Sequence, residues 1–388
     1  MKTLSLSLLA LLAAFAPLRA APEFRGAWVA TVHNLDWPSK PGLPAAVQKG
    51  ELRAILDRAQ SLKLNAILFQ VRPASDALYA SDREPWSVFL SGRQGADPGY
   101  DPLSYAIAEA HARGIELHAW FNPFRASTKT TGPFASNHVT QTHPEWVRTY
   151  AGQRYIDPGV PEARRYVLEV MLDVVRRYDI DGLHIDDYFY PYPVGGASFP
   201  DETSWQRYGA SSGMSRADWR RDNVNRFIEA MYRGVKGVKP SVRVGISPFG
   251  IWRPGVPETT QAGLDSFDQL FADSRHWLAQ GWCDYLAPQL YWSIEPAKQS
   301  FPVLLNWWRQ QSRAGKPIWP GIATERVGSS RPAGEMARQI ELTRQGELNG
   351  GAPGHIHWNM KALMNNKGGV SELLKRQVYL DKAETPQR

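Results

Sequence analysis

Asp181–Pro193 reads DGLHIDDYFYPYP. Leu183 and Ile185 alternate with His184 and Asp186, the period of two that marks a half-buried strand. A strand that ends on two carboxylates and runs into an aromatic, proline-rich loop has the format of a barrel strand with chemistry at its C-terminal end. Similar short runs lie on both sides, each followed by a helical pattern. They begin near Phe24 (FRGAWVATV), Asn65 (NAILFQV), Ile115 (IELHAWF), Val242 (VRVGIS), Tyr285 (YLAPQLYW), Pro317 (PIWPGIA) and Gly354 (GHIHWN). With the Gly182 run they make eight strand–helix units, which predicts an α/β fold, a (β/α)8 TIM barrel, as a single catalytic domain.

The helices between the strands are well signalled. Leu52, Ile55, Leu56, Ala59 and Leu62 form an apolar stripe at helical spacing, as do Val167, Val170, Met171, Val174 and Val175. Asp101 and Pro102 open a helix that Gly114 closes, and further helices are expected from near Leu264, Pro302, Ala333 and Val370. The organisation read from this pattern is a signal peptide over 1–20, the barrel over 21–365, and a terminal helix with a polar tail over 366–388. The long connections 122–161 and 187–217 follow strands, on the side where barrel enzymes keep their active sites.

The chain has 388 residues, 43% hydrophobic and 21% charged, which excludes a disordered or fibrous protein. Its formal charge of +7 is mild, and no block of like charges marks a nucleic-acid arm. No glycine-rich phosphate-binding motif follows any strand, so a nucleotide enzyme is not indicated. Residues 1–20, MKTLSLSLLALLAAFAPLRA, have the basic start, short apolar stretch and small residues of a secretory signal. That stretch falls short of the roughly 20 residues of a membrane span, and no later window reaches that length. The single cysteine, Cys283, allows no internal disulfide and lies far from the leader. The expectation is an exported protein of the periplasm or cell envelope that is not a lipoprotein.

In each strand the apolar set should face the helices and the other set the lumen. This parity points Gln70, Arg72, Trp120, Asn122, His184, Asp186, Ser247, Gln289 and Tyr291 inward, with Glu325 following if its strand continues that far. Strands one and eight are ambiguous: either His355, His357 and Asn359, or Ile356 and Trp358, face the lumen. Buried polar groups cost about 1–3 kcal/mol each when unpaired, so a purely structural barrel has no need of such a ring.

Carboxylates, amides, an arginine and many aromatic rings in one cleft suit glycoside hydrolysis, in which one carboxyl group protonates the leaving oxygen and another attacks carbon or activates water. Asp186 beside Arg72 fits the ionised role and Glu325 the acid, with the reverse assignment open and Asp187 a further candidate. Substrate contacts are expected from Arg72, Gln70, Trp120, Asn122, His184, Tyr188, Gln289, Tyr291, Trp292, Trp358 and Asn359, without cofactor or metal. The loop tryptophans Trp37, Trp86, Trp146, Trp205 and Trp252 are expected to stack sugars as well, and Asp82 and Glu84 to be solvated. Two alternatives remain: a metal-dependent polysaccharide deacetylase using His184, Asp186 and His355 or His357, and a glycan-binding barrel without turnover.

EFRGAWVATVHNLDWPS, QVRPASDALY, WFNPFR, DGLHIDDYFYPYP, DWRRDNVN, GISPFGIWRPG, APQLYW and GHIHWNM, in that order from Glu23 to Lys361, together resemble the glycosyl hydrolase-like domain formerly called domain of unknown function 187. The resemblance implies a (β/α)8 barrel acting on bacterial cell-wall glycan, on strands stripped of stem peptides, with cell-division or envelope proteins as candidate partners. DGLHIDDY is also similar to the strand-four motif of family 18 chitinases, with Asp181, Gly182 and Asp186 in place. His184 and Tyr188 stand where that family has an aspartate and its acid glutamate, so its substrate-assisted mechanism does not carry over. The strand-five acid of α-amylase-type barrels has no counterpart in GISPFG, which leaves Glu325 or Asp187 as the acid.

Overall fold

A computed structural model describes residues 21–295, 297–345 and 352–387; the expected signal peptide lies outside the described residues. Eight strands, β1 (Phe24–Val29), β2 (Ala66–Arg72), β3 (Glu116–Phe121), β4 (Gly182–Ile185), β5 (Arg243–Ile246), β6 (Tyr285–Leu286), β7 (Gly321–Ala323) and β8 (Gly354–Trp358), form one sheet. The sheet is parallel and runs β7-β8-β1-β2-β3-β4-β5-β6. Parallel bridges Leu286↔Ile318 and Gln289↔Gly321 join its two edges and close the ring. Strands β6 and β7 are short because Pro288, Pro317 and Pro320 supply no N–H to a ladder.

The outer layer is α1 (Ala45–Ser61), α2 (Pro102–His111), α3 (Pro161–Arg177), α4 (Arg216–Val238), α5 (Ser274–Gln280), α6 (Phe301–Gln311) and α7 (Ala333–Arg344), completed after β8 by the short helices Met360–Met364 and Val370–Leu373. The α1 stripe is buried as expected, and Asp101 caps α2 by accepting from Ser104 N at 3.0 Å. The helix expected from Leu264 is instead a single turn, Ser266–Gln269, followed by α5.

The parity reading separates the two cores. Ile67, Phe69, Val71, Leu117, Ala119, Phe121, Leu183 and Ile185 pack against the helices. The lumen is filled by Phe24, Trp28, Leu68, Trp120, Tyr285, Trp319 and Ile356. Several of these rings lie over glycine, among them Trp28 over Gly321 and Trp319 over Gly354. A Cβ at Gly182 would stand 2.4 Å from His118 Nδ1, and one at Gly245 2.0 Å from Tyr285 Cζ.

The ambiguous strands are settled by the same packing. Ile356 is lumenal, whereas His355 and His357 both bond Tyr379 Oη, the latter at 2.8 Å, and His357 Nδ1 bonds the Thr324 hydroxyl at 2.7 Å. The polar tail is docked rather than free. Glu384 O accepts from Glu23 N at 3.0 Å, Ala383 O from Asn65 Nδ2 at 3.1 Å and Asp381 O from Arg25 Nη1 at 2.7 Å, which draws the tail across the N-terminal ends of β1 and β2.

Candidate active site

Asp186 and Asp187 follow β4 directly at the C-terminal end of the barrel. Both carboxyl groups are buried, and each has its own set of donors. Asp186 Oδ2 accepts from Trp120 Nε1 at 3.2 Å and from Asn122 Nδ2, whereas among the described residues Oδ1 receives only Tyr188 N at 3.4 Å. Asp187 Oδ1 accepts from Gln289 Nε2 at 3.1 Å, and its Oδ2 from the Tyr192 hydroxyl.

The orientation of the amides follows from the backbone. Thr31 N and Val32 N can only donate, and they reach Gln70 Oε1 at 2.8 and 2.9 Å. Gln70 Nε2 must therefore donate to Asn122 Oδ1, which turns Asn122 Nδ2 onto Asp186. Gln289 is fixed similarly, its Nε2 also donating to Ser247 O at 3.0 Å.

These groups line a cavity of about 250 Å³ whose walls include Trp28, Trp120, Trp358, Tyr188, Tyr192 and Tyr291. Arg125 lines it too, with its guanidinium 4.2 Å from the centre of the Tyr188 ring. Burial, and then the neighbouring charge of Asp187, push the Asp186 carboxyl up to about 7, against the opposing charge of Arg125. Burial also raises Asp187, but the hydrogen bonds from Tyr192 and Gln289 favour its ionised form. A proton held by this pair near neutral pH therefore belongs on Asp186, whose Oδ1 is the less satisfied oxygen.

Beneath the cavity lies a closed polar chain. Trp28 Nε1 can only donate, and it reaches His184 Nε2 at 3.3 Å. The deep burial of His184 drives its pKa well below the usual value, so the ring is neutral and Nδ1 carries the hydrogen. It donates to Tyr285 Oη at 3.0 Å, which donates to His118 Nδ1 at 2.9 Å, leaving His118 Nε2 to donate to Glu116 at 3.2 Å.

Of the expected site residues, Gln70, Trp120, Asn122, Asp186, Asp187, Tyr188, Gln289, Tyr291 and Trp358 come together at this cavity. Others do not. The β2–β3 register shifts between Gln70 and Arg72, and Arg72 turns into the wall. Its Nε and Nη2 donate to Glu84 at 2.7 and 2.6 Å, and Nη1 to the Asn122 and Pro123 carbonyls at 2.7 and 2.9 Å. Glu84 is accordingly a buried ion-pair partner rather than a solvated charge.

Glu325 loses its inward parity because β7 ends at Ala323 and Thr324–Arg326 forms a 3-10 turn. It pairs with Arg326 at 3.4 Å, with its side chain 32% exposed. His184 belongs to the floor, Trp292 packs edge-on against Phe249, and Asn359 caps the following helix through Ala362 N at 3.3 Å. The deacetylase ligand set is not assembled, since His184 faces the lumen while His355 and His357 face the helices.

Most loop tryptophans also serve packing. Trp37 is buried and donates to Gln48 O, Trp146 stacks on His143 and Trp205 packs on Trp219. The residues missed include Arg125, Tyr192 and Trp28, with the apolar Val32 and Leu35 beside them. Arg125 ends the motif WFNPFR and Tyr192 lies near the end of DGLHIDDYFYPYP, each a few residues beyond its strand, where side-chain alternation no longer applies.

A carboxyl pair at a strand-four end, in an aromatic cavity at the C-terminal mouth of a (β/α)8 barrel, defines the class of glycosidase-like barrels. The chain belongs to the Glycosyl hydrolase-like 10 family, whose model matches residues 23–335. It is 41% identical over 379 residues to the glycosyl hydrolase YngK of Bacillus subtilis, covering 94% of this chain and 73% of that one. It is 34% identical over 395 residues to the glycosyl hydrolase DigH of Escherichia coli, covering 95% and 86% respectively. Two solved structures share the fold. The catalytic domain of a β-amylase from Paenibacillus polymyxa matches at TM-score 0.58 with 13% identity, covering 92% of this chain and 98% of that one. The glycoside hydrolase domain of PgaB (BpsB) from Bordetella bronchiseptica matches at TM-score 0.56 with 15% identity, covering 91% and 98%.

Proposed function

We propose that the protein is a glycoside hydrolase that cleaves bacterial cell-wall glycan, on strands lacking stem peptides, after export to the periplasm or cell envelope. The observation that carries the reaction is the division of donors between two buried carboxyl groups on the floor of an aromatic cavity. Asp186, protonated near neutral pH, donates to the glycosidic oxygen as the bond to the leaving sugar breaks. Asp187, held by Tyr192 and Gln289, faces the positive charge growing at the anomeric carbon and takes the proton of the attacking water. Trp28, Trp120 and Trp358 supply flat apolar faces for the sugar rings.

The family and its relatives named as glycosyl hydrolases support the reaction class. The cell-wall substrate is inferred from the sequence motifs, and the export from residues 1–20. The test is mass spectrometry of products from intact and peptide-stripped peptidoglycan, with the Asp187→Asn variant as control. New saccharide ends from the stripped strands alone are expected. No new end with either substrate would overturn the reading, and binding without release would leave a glycan-binding barrel.

A further inference from the structure

A second cavity, of about 550 Å³, lies beside the first, within the range of about 300–1,000 Å³ typical of small-molecule sites. The two are separated by a single 3-10 turn, Val32–Asn34. Val32 and Arg125 line the first cavity, and their chain neighbours His33 and Ala126 line the second. A glycan strand that left the carboxyl pair past Val32 would meet the second cavity next.

Its lining combines flat rings with unspent positive charge. Phe89 offers a ring, and Arg93 and Lys129 reach in from two different loops; the Phe134 ring is already stacked on His138 and lies under the Arg154 guanidinium. Neither cation forms an ion pair among the described residues, and the two lie on the rim of one cavity. The charge density is high enough that burial together with Arg125 and Lys129 lowers the pKa of His33. The one acidic group in the lining is Asp76, which is fully buried and whose Oδ1 has no hydrogen-bond partner among the described residues. Burial raises Asp76 to about 7, so near neutral pH it presents a hydroxyl donor as much as a charge.

Resting on the glycosidase reading above, we infer that this second cavity is a subsite for a carboxylate-bearing sugar unit of the same strand, read by Arg93 and Lys129 and stacked on Phe89. A neutral glycan would leave both cations unpaired, and a nucleic acid would need a longer basic track than these two residues supply.

The experiment uses the full chain, a soluble oligosaccharide in which carboxylated sugars alternate with neutral ones, and the same oligosaccharide with its carboxyl groups reduced to alcohols. Binding is read by calorimetry, separately from turnover. The wild type is expected to hold the carboxylated form roughly five-fold more tightly, as two partly exposed ion pairs allow, with the margin shrinking as salt is added. In the Arg93→Gln/Lys129→Gln double variant, checked for an unchanged melting temperature, the two forms should bind alike. Equal affinity for both forms in the wild type, or a preference that survives in the double variant, would overturn the subsite. If the preference holds but no glycan is cleaved, the subsite stands and the hydrolase reading falls; cleavage without preference gives the reverse.

Discussion

Arg72 and Arg125 come from neighbouring strand ends, and both are buried, yet they have opposite uses. Arg72 is saturated by a two-point contact with Glu84, two carbonyls and the Ser75 hydroxyl. Among the described residues Arg125 has one long bond, 3.4 Å to Pro73 O, an Nε without a partner, and a tyrosine ring under its guanidinium. Its charge acts instead on Asp186 and Asp187. A buried charge whose hydrogen bonds are complete holds the fold. One left incomplete at a cavity is available to substrate and to the acids beside it.

The largest expected effect tests the cavity side of this contrast. Asp187→Asn should lower kcat/KM by at least about 100-fold with the fold intact by circular dichroism, as loss of a positioned acid–base group does. Near-normal turnover would remove Asp187 from the reaction.

The wall side is tested by stability. Arg72→Met strands Glu84 and should cost about 3–5 kcal/mol in urea unfolding, the usual cost of breaking a buried pair, while Arg125→Met should cost far less. Equal losses would erase the distinction between the two arginines.

A smaller effect sharpens it. Removing the positive charge of Arg125 disfavours ionised Asp186 and Asp187, so the limb of the pH–rate profile that requires a carboxylate should move up by roughly one pH unit in Arg125→Met. A downward or absent shift would place the Arg125 charge outside the site.

The smallest effect concerns stability against pH. Asp186 titrates higher in the folded chain than in the unfolded one, so its contribution is most favourable at acid pH and is lost as pH rises from about 4 to about 7. Asp186→Asn should therefore stabilise the protein by of order 1 kcal/mol at pH 8, with the gain vanishing near pH 4. A gain that is the same at both pH values would contradict the raised carboxyl.

Much of this was legible in the sequence wherever a strand was regular. Alternation along NAILFQV, ELHAWF and GLHID separated the two faces, and placed Gln70, Trp120, Asn122 and Asp186 at the mouth. It failed where the backbone left the period of two. The register shift carried Arg72 into the wall, and the early end of β7 carried Glu325 to the rim. Both are events of hydrogen-bond register, which side-chain alternation does not report. The aromatic count misled for another reason: a tryptophan in a loop and one in a lumen have the same hydrophobicity, and which of them is packed is decided by the neighbours it meets, such as Gly321 under Trp28.

The docked tail has a consequence for how the protein can be held. Glu23 and Glu384 are hydrogen-bonded to each other, so the first and last described segments leave the barrel from the same pole, opposite the carboxyl pair. A tether joined at either end would act as a stalk, with the open mouth pointing away from the point of attachment. An immobilised or fused form of the protein should thus keep access to an insoluble polymer on its outward side, whichever end is used.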